Sequence, residues 1–402
     1  MEKQIMENAN KAFETAKLTS YWLYLAGIPE AVEYAKLINL DSMDPEAIPH
    51  SQDMCFLNPI IHEIRYKSIN YYIRQSGCKN VLDIACGYSP RGMQLAREGY
   101  SYVGADLPVV AEELQPVAAK LGLDNLKYVG ADATNFDSLK SAIESLEGPV
   151  AVVVEGLGMY LNKSEAAVVR GNIVRLLQER EGSVYITCDP GNGYLFYEVI
   201  NATRPPRLIM PTFGMLFEMY NWASNGGITN ETEKRPIEED ARMFEESGLE
   251  VDMCPLLPED TDLLIYKTVD SEIAEKLKSS LSKKLIFVSK AGACAGNPAD
   301  AGEGQEFDLS ADVEDGRLCI KLKGRLDTIT VPRLLEAVDQ KLEGCSGVVI
   351  DLAGVSFVSS SGLRAFYLIG QRLGQDQKLE ISGASEEISS LLANDGIIKH
   401  IS

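Results

Sequence analysis

The sequence predicts an α/β protein of two domains: a parallel sheet covered on both faces and preceded by helices, then a smaller α/β module. Three observations predict it. From Asn80 onward short apolar runs alternate with helical patterns, and runs that are apolar throughout suit strands buried on both faces. The stretch Lys290–Gly304 is dominated by small residues, Gly and Pro, which cannot pack a core and read as a linker. A chain of 402 residues also exceeds one ordinary domain. The expected boundaries are a first domain over 1–289, a flexible linker over 290–305 and a second domain over 306–402.

The elements follow in order. Residues 1–76 read as mostly helical, with apolar residues at helical spacing in Tyr21–Ala26 and again in Ile60–Ile73. Five runs then read as strands: Asn80–Ile84, Tyr100–Ala105, Leu126–Val129, Val150–Glu155 and Ser183–Cys188. Helical patterns separate them, among them Ser164–Leu177. Two later runs, Leu249–Cys254 and Lys284–Val288, are expected to complete the sheet as an antiparallel edge. Between these groups, Asn201–Glu239 holds Pro205, Pro206, Pro211 and Pro236. It breaks the alternation and reads as a cover over the carboxyl edge of the sheet. Beyond the linker, Arg317–Lys323 alternates like a strand. Val331–Leu342 reads as an amphipathic helix, Val348–Leu352 as a buried strand and Leu363–Leu373 as a second helix. Lys378–Ser382 reads as another strand and Ser385–Leu392 as another helix.

Composition narrows the function classes. A net charge of −21 disfavours nucleic acid as a partner, because phosphate binding needs clustered Lys and Arg. The eight cysteines form no CxxC pair, and His50, His62 and His400 are the only histidines. A structural zinc site is therefore not expected; reduced thiols in a cytoplasmic setting are. The start, Met1–Glu7, is charged and lacks the apolar core of a signal peptide. No run reaches the roughly 18 apolar residues of a membrane helix.

The chemistry concentrates at three strand ends. Val81-Leu-Asp-Ile-Ala-Cys-Gly87 carries Asp83 at the end of a strand and Gly87 at a tight turn. Asp106 ends the second strand, and Asp132 follows the third. Ligands of open α/β sheets bind at this edge. The stretch Asp83–Gly92 does not read GxGxxG, and Pro90 lacks an amide. A pyrophosphate, which needs amides at a helix N-terminus, fits poorly, so a nicotinamide oxidoreductase is disfavoured. A nucleoside without phosphates fits better, and S-adenosyl-L-methionine is the obvious one. Asp106 would accept its ribose hydroxyls and Asp132 its adenine amino group. Asp132 alone reads equally as a helix cap.

Val81–Gly87, Gly104-Ala-Asp-Leu-Pro108, Gly130-Ala-Asp-Ala133 and Val154-Glu-Gly-Leu-Gly-Met-Tyr-Leu161 resemble the class I S-adenosylmethionine-dependent methyltransferases. Within these the chain is most similar to the leucine carboxyl methyltransferase-like O-methyltransferases. The resemblance covers roughly residues 60–290 and implies a Rossmann-like sheet. It also implies a cofactor set of Arg65, Asp83, Gly87, Asp106, Leu107, Asp132, Ala133, Glu155 and Gly156, with S-adenosylhomocysteine as product. Glu155 and Gly156 would line the methionine part and Arg65 would hold its carboxylate; Arg65 also reads as a surface helix arginine. Lys17 is a weaker alternative for the same job. The first 76 residues would form a helical lid or substrate region. Tyr160, Tyr194 and Tyr220 are candidates for lining the acceptor pocket, and equally for core or rim. With so few histidines, the reading leans toward a small-molecule acceptor that is already acidic, such as a carboxylate, over one that needs a histidine base.

The second module carries Lys323–Thr330 and Val348–Arg364, with serines between an extended run and a helix. Ser360 or Ser361 reads as a helix N-cap, and a phosphate there would meet the positive end of that helix. Gly324-Arg-Leu-Asp327, the strand ending Asp351-Leu, Ser359-Ser-Ser-Gly-Leu-Arg364 and Leu379-Glu-Ile-Ser-Gly383 resemble the STAS domain of bacterial anti-sigma factor antagonists. The match covers about residues 306–402. It implies Ser360 as the phosphorylatable serine, with Ser359 where an acid often stands. It implies Asp327 as a partner contact, though Asp327 also reads as a cap for the helix at Val331. An anti-sigma factor and a serine kinase are the implied partners. Two functions stay open: an enzyme with a regulatory STAS appendage, or a phosphorylation-switched antagonist whose first domain only senses the cofactor.

Overall fold

In the computed structural model, the apolar run Asn80–Ile84 is a strand buried at every position, as its unbroken hydrophobicity requires. The structure describes residues 16–40, 54–190, 192–223, 237–258, 261–281, 285–291, 307–314, 316–326, 330–342, 344–358, 360–374, 377–385, 388, 389 and 392. The chain forms two compact units: one holds residues up to Ala133 and from Ser138 to Pro298, the other Thr134–Asp137 and everything from Ala299. The expected linker, 290–305, lies outside the described residues from position 292 onward.

In the first unit, helices α1 (16–25), α2 (Pro29–Leu37) and α3 (Leu57–Gln75) precede β1 (Asn80–Ile84). Next come α4 (Arg91–Arg97), β2 (Ser101–Asp106), α5 (Pro108–Leu121), β3 (Leu126–Gly130), α6 (Phe136–Ala142) and β4 (Val150–Val154). A one-turn helix at Gly158–Tyr160, α7 (Lys163–Glu179), β5 (Val184–Thr187), α8 (Asn192–Thr203) and α9 (Pro206–Ala223) follow. The unit closes with α10 (Ile237–Glu246), β6 (Leu249–Pro255), a turn of 3-10 helix at Leu264–Lys267, α11 (Ser271–Leu281) and β7 (Leu285–Ala291).

These strands form one sheet in the order β3-β2-β1-β4-β5-β7-β6. β1 pairs in parallel with β2 and β4, placing Asp83 beside Gly104 and Val153. The order turns back between β1 and β4, the point at which open α/β sheets bind ligands. The two late strands complete the sheet as an antiparallel edge, as expected. β7 lies inside the sheet, antiparallel to both β5 and β6, and β6 is the edge. β6 is exposed or half-buried at every position after Leu249, in agreement with an edge position, whereas Ile286 and Phe287 of β7 are buried. The proline-rich stretch is helical where described: Pro206 opens α9 and Pro211 sits inside it.

Local signals set the helix ends. Asn162 caps α7 by accepting from the Glu165 amide, and the Glu165 carboxylate accepts from the Asn162 amide. That reciprocal pair satisfies two orphan donors. α3 is buried along most of its length, polar residues included, so its polar groups require partners. Glu63, for example, accepts from the amides of Leu264 and Ile265 at 2.5 and 3.1 Å. Among the described residues no helix is long and apolar enough to cross a membrane.

The second unit is a four-stranded sheet in the order β11-β10-β9-β8. Its elements are β8 (Asp308–Glu314), β9 (Arg317–Leu326), α12 (Val331–Lys341), β10 (Gly347–Val358), α13 (Ser360–Arg372) and β11 (Lys378–Ser382). β8 pairs antiparallel with β9, and β9, β10 and β11 are parallel. Its core is Leu318, Ile320, Leu334, Val338, Ile350, Phe366, Ile369 and their neighbours. β8 was not expected. β10 runs on past the expected Leu352, with register shifts at Asp351/Gly354 and Val355/Phe357. The last expected helix is described only in part.

Candidate functional site

The turn after β1 is held in a left-handed conformation twice, at Ala85 (φ 56°) and Gly87 (φ 52°). Glycine adopts this freely; alanine does so at a cost of about 1–2 kcal/mol. The turn brings the Gly87 amide to Asp106 at the tip of β2, donating to Oδ2 at 2.7 Å. The Leu107 amide donates to Oδ1 at 2.7 Å. Each carboxylate oxygen thus takes one backbone donor, and a carboxylate has about four acceptor positions. Burial pushes the Asp106 carboxyl up to about 6, against the pull of the two amides. At neutral pH it is mostly ionised and can accept two further hydroxyl donors.

Asp83 is placed differently. It is 1% exposed, and its Oδ2 accepts from Arg91 Nη1 at 2.8 Å and from the Tyr102 hydroxyl at 2.7 Å. Arg91, also 1% exposed, bonds Glu155 Oε2 at 2.5 Å and Asn70 Oδ1 at 2.7 Å. One guanidinium therefore ties β1, the loop after β4 and α3 together. Burial opposes ionisation of Glu155, but the adjoining Arg91 and Arg65 charges outweigh it and hold its carboxyl below the usual range.

Arg65, on α3, lies 3.2 Å from Glu155 Oε1 and 3.3 Å from Asp189 Oδ1. Asp189 follows β5 and organises the loop after β4. Its carboxylate accepts three successive amides, Gly156 at 2.6 Å and Leu157 and Gly158 at 3.0 Å each. Gly156 has φ 77°, in the region that favours glycine, and a Cβ there would sit 3.5 Å from Arg65 Nη2.

Asp132 follows β3 and is 5% exposed. The Ala133 carbonyl accepts from Asn172 on α7 at 2.9 Å. Lys17 pairs with Glu113 on α5 at 3.0 Å and lies over the Tyr88 ring, while Ser20 donates to the Tyr88 carbonyl. α1 thus lies against the turn after β1. Tyr160 ends the one-turn helix after β4, and burial pushes its phenol up to about 12. The backbones of Tyr194 and Tyr220 belong to α8 and α9; their side chains lie outside the described residues. A cavity of about 120 Å³ opens beside the same loop, walled by Val169 and Ile173 of α7, Met243 and Phe244 of α10, and Tyr185.

The structure therefore gathers Arg65, Gly87, Asp106, Leu107, Glu155 and Gly156 at the carboxyl ends of β1, β2 and β4, with Asp132 and Ala133 at the end of β3. Asp83 supports this edge from within. Three residues that the sequence reading passed over belong to the same region: Arg91, Asp189 and His62. A buried Glu155 calls for a cation, and Arg91 just after the turn was the available one. For Asp189, the signal was an acid directly after a strand. His62 stands one turn before Arg65 on α3.

The donor set fits a nucleoside without phosphates. An ionised acceptor is aimed at the sheet edge, the turn amide of Gly87 is spent on Asp106, and Pro90 has none to give. Among the described residues no group of acids, histidines and cysteines is placed to hold a metal ion.

In the second unit Ser360 is the first residue of α13, two positions after Val358 ends β10. Gly362 packs tightly there: a Cβ would lie 2.7 Å from the Leu326 carbonyl oxygen and 2.8 Å from Val358 Cγ1. Asp327 and the Ser360 side chain lie outside the described residues.

Comparison with known proteins separates the two units. The STAS domain family matches residues 308–401. The "anti-sigma-B factor antagonist" of Staphylococcus epidermidis is 40% identical over 80 residues, 19% of this chain and 74% of that protein. The crystal structure of an anti-sigma factor antagonist from Mycobacterium paratuberculosis covers 24% of this chain and 83% of its own, at 22% identity and a TM-score of 0.22. An O-methyltransferase family protein from Burkholderia thailandensis covers 61% of this chain at 13% identity and a TM-score of 0.35. The chain spans only 60% of that protein, and a likeness this remote says nothing of reaction or substrate.

Proposed function

The chain belongs to the STAS family through its C-terminal unit, and we propose that its N-terminal unit is an S-adenosylmethionine-dependent O-methyltransferase, with the STAS unit serving regulation or partner docking. One observation carries the enzymatic reading: the Asp106 carboxylate at the tip of β2, with each oxygen held by one backbone amide. Such a group is oriented and still has acceptor capacity for a ribose diol. Beside it, Leu107 would pack on the nucleoside, and Asp132 and Ala133 would meet the adenine. Glu155 and Gly156 would line the methionine part, and Arg65 would hold its carboxylate. Asp83 acts through Arg91, which fixes Glu155. When bound, the cofactor supplies an electrophilic methyl group on a sulfonium. The protein's part is to hold an acceptor oxygen in line with it, and proximity alone supplies a large share of such a rate enhancement.

The test is calorimetry of the full chain with S-adenosylhomocysteine. Binding by the parent protein and its loss in Asp106→Ala supports the reading. Binding that survives Asp106→Ala removes it.

A second reading rests on the family membership itself. The relative named above is an anti-sigma-B factor antagonist, and Ser360 stands at a helix start, where a phosphate meets the helix dipole. In this reading the chain is a phosphorylation-switched antagonist of an anti-sigma factor, answering to a serine kinase, and the first unit only senses the cofactor. Incubation with candidate kinases followed by mass spectrometry at Ser360 tests the switch. A methyl acceptor found in a broad panel decides against the sensor role.

A further inference from the structure

The cavity of about 120 Å³ beside the loop after β4 shares with the cofactor set only its wall at Gly156. Two helical stripes enclose it. Ala166, Val169, Arg170 and Ile173 of α7 fall at i, i+3, i+4 and i+7, and Asp240, Met243 and Phe244 of α10 at i, i+3 and i+4. Val154 of β4 and Tyr185 of β5 form its sheet wall. Val154, Val169, Ile173, Tyr185 and Phe244 are buried, and Met243 is half-buried.

The cavity lies across the sheet from α3. Side chains alternate between the two faces of a strand. Val153 and Ile186 pack in the core that holds Ile60, Ile61 and Ile64 of α3. Val154 and Tyr185, their neighbours along the chain, therefore point to the other face, and that is the cavity's side. The loop after β4 meets both sides. A Cβ on Gly156 would sit 3.5 Å from Arg65 Nη2, while Gly156, Leu157 and Gly158 also line the cavity. The amides of these three residues are the ones that Asp189 gathers.

The walls define what fits between them. The Phe244 ring lies 5.5 Å from the Tyr185 ring, tilted at 48°, and 5.9 Å from the Phe287 ring, edge-on at 89°. One more ring would extend this cluster, because aromatic rings favour tilted and edge-to-face contact at such separations. Met243 adds a pliable thioether, which also packs well on rings. An apolar cavity of about 150 Å³ admits benzene, so the volume here suits a single ring. Charge narrows the choice further. The charged residues of the lining are two acids, Asp189 and Asp240, and one base, Arg170. An anion would face both acids. A cation would give up its hydration to apolar walls, and both oxygens of Asp189 already accept backbone amides.

We propose that this cavity is a second ligand site of the first unit, that it takes an uncharged compound with a single aromatic ring, and that its occupant steadies the loop after β4. The ring lies against Gly156, Leu157 and Gly158, so an opening of that loop has to break its contacts. The same loop carries Glu155, bonded to Arg91 and Arg65, and the occupant therefore bears on the strand tips from behind. The site stands on its own walls and does not depend on the methyltransferase reading.

The experiment is ¹⁹F NMR of fluorobenzene with the full chain, with 4-fluorobenzoate as the charged counterpart, followed by amide hydrogen exchange of the loop. The expected result is saturable broadening or displacement of the fluorobenzene signal, at least about tenfold weaker binding of 4-fluorobenzoate, and loss of fluorobenzene binding in Ala166→Trp, whose side chain fills the cavity. Should that variant fail to fold, Met243→Trp fills it from α10. At ten times the dissociation constant of fluorobenzene, exchange of the Gly156, Leu157 and Gly158 amides should slow about tenfold. No saturable binding, equal binding of 4-fluorobenzoate, binding that survives the filling variant, or loop exchange that the ring leaves unchanged overturns the proposal. None of these readouts uses S-adenosylhomocysteine, so a chain that fails to bind that nucleoside loses the methyltransferase reading and still decides this one.

Discussion

Asp83 and Asp106 lie on adjacent parallel strands, near the same edge of one sheet, and are held in opposite ways. Side chains close in on Asp83: Arg91 and Tyr102 cover it, and it is 1% exposed. Backbone amides hold Asp106, and they approach from the strand and the turn only. A buried guanidinium and phenol enclose the Asp83 carboxylate and fix it as structure. Two amides orient a carboxylate and leave part of it for something else. The difference separates an acid enclosed by side chains from one held by the backbone with acceptor capacity left over. It also explains why Glu155, shared by two arginines, shapes the loop after β4 before it touches any ligand.

Four measurements break or sharpen that contrast. The largest effect belongs to the structural side. Arg91→Met leaves the buried Asp83 without its cation and Glu155 with Arg65 alone, which costs about 3–5 kcal/mol; urea unfolding of the variant should show a midpoint far below the parent's. If Arg91→Met unfolds like the parent, Asp83 is not held as described. Next is the binding side. Asp106→Ala removes two charge-assisted hydrogen bonds to a ligand, each worth about 1.5–3 kcal/mol. S-adenosylhomocysteine affinity should fall on the order of 100-fold or more, with little change in stability.

The third is pH. The folded-state pKa of Asp106 is raised from 3.8 to about 6. A raised carboxyl favours the ligand-free fold below its unfolded value, and that contribution is lost as pH rises through about 6. Ligand binding runs the other way, because the diol needs the ionised form. Affinity for S-adenosylhomocysteine should be flat above about pH 6 and fall toward tenfold per unit below it; Asp106→Asn should abolish the slope. A slope that persists in Asp106→Asn assigns the proton elsewhere. The smallest effect tests the turn that brings the Gly87 amide to Asp106. Ala85→Gly relieves a left-handed alanine worth about 1–2 kcal/mol against an entropic cost of about 0.5–1 kcal/mol for glycine. The variant should gain up to about 1 kcal/mol in denaturant unfolding and bind the ligand unchanged. A loss of stability would mean that the residue is not strained there.

The strands β1, β2, β4 and β5 were legible because each is a short, mostly apolar run that a covered sheet can hide, and β3, the edge strand, by Leu126, Tyr128 and Val129. The acid of Asp106 was legible for the same reason, as a charge at the end of such a run. β8 was missed although Leu309, Ala311 and Val313 alternate with acids and Ser310; an edge strand with one half-covered face leaves a weak apolar signal, and Val313 is 55% exposed. The pair β6 and β7 was legible as the antiparallel edge, but their order was not, because nothing in the residues of β7 shows that β6 pairs outside it. The pairs Arg91–Glu155 and Arg65–Asp189 lie 64 and 124 residues apart along the chain, and local pattern carries no trace of such pairings.

Gly362 has a consequence for any switch at the start of α13. With no room for even a methyl group between that turn and the end of β9, the helix is clamped to the sheet two residues after Ser360. Any side chain added at position 362 would therefore have to push α13 away from the end of β9.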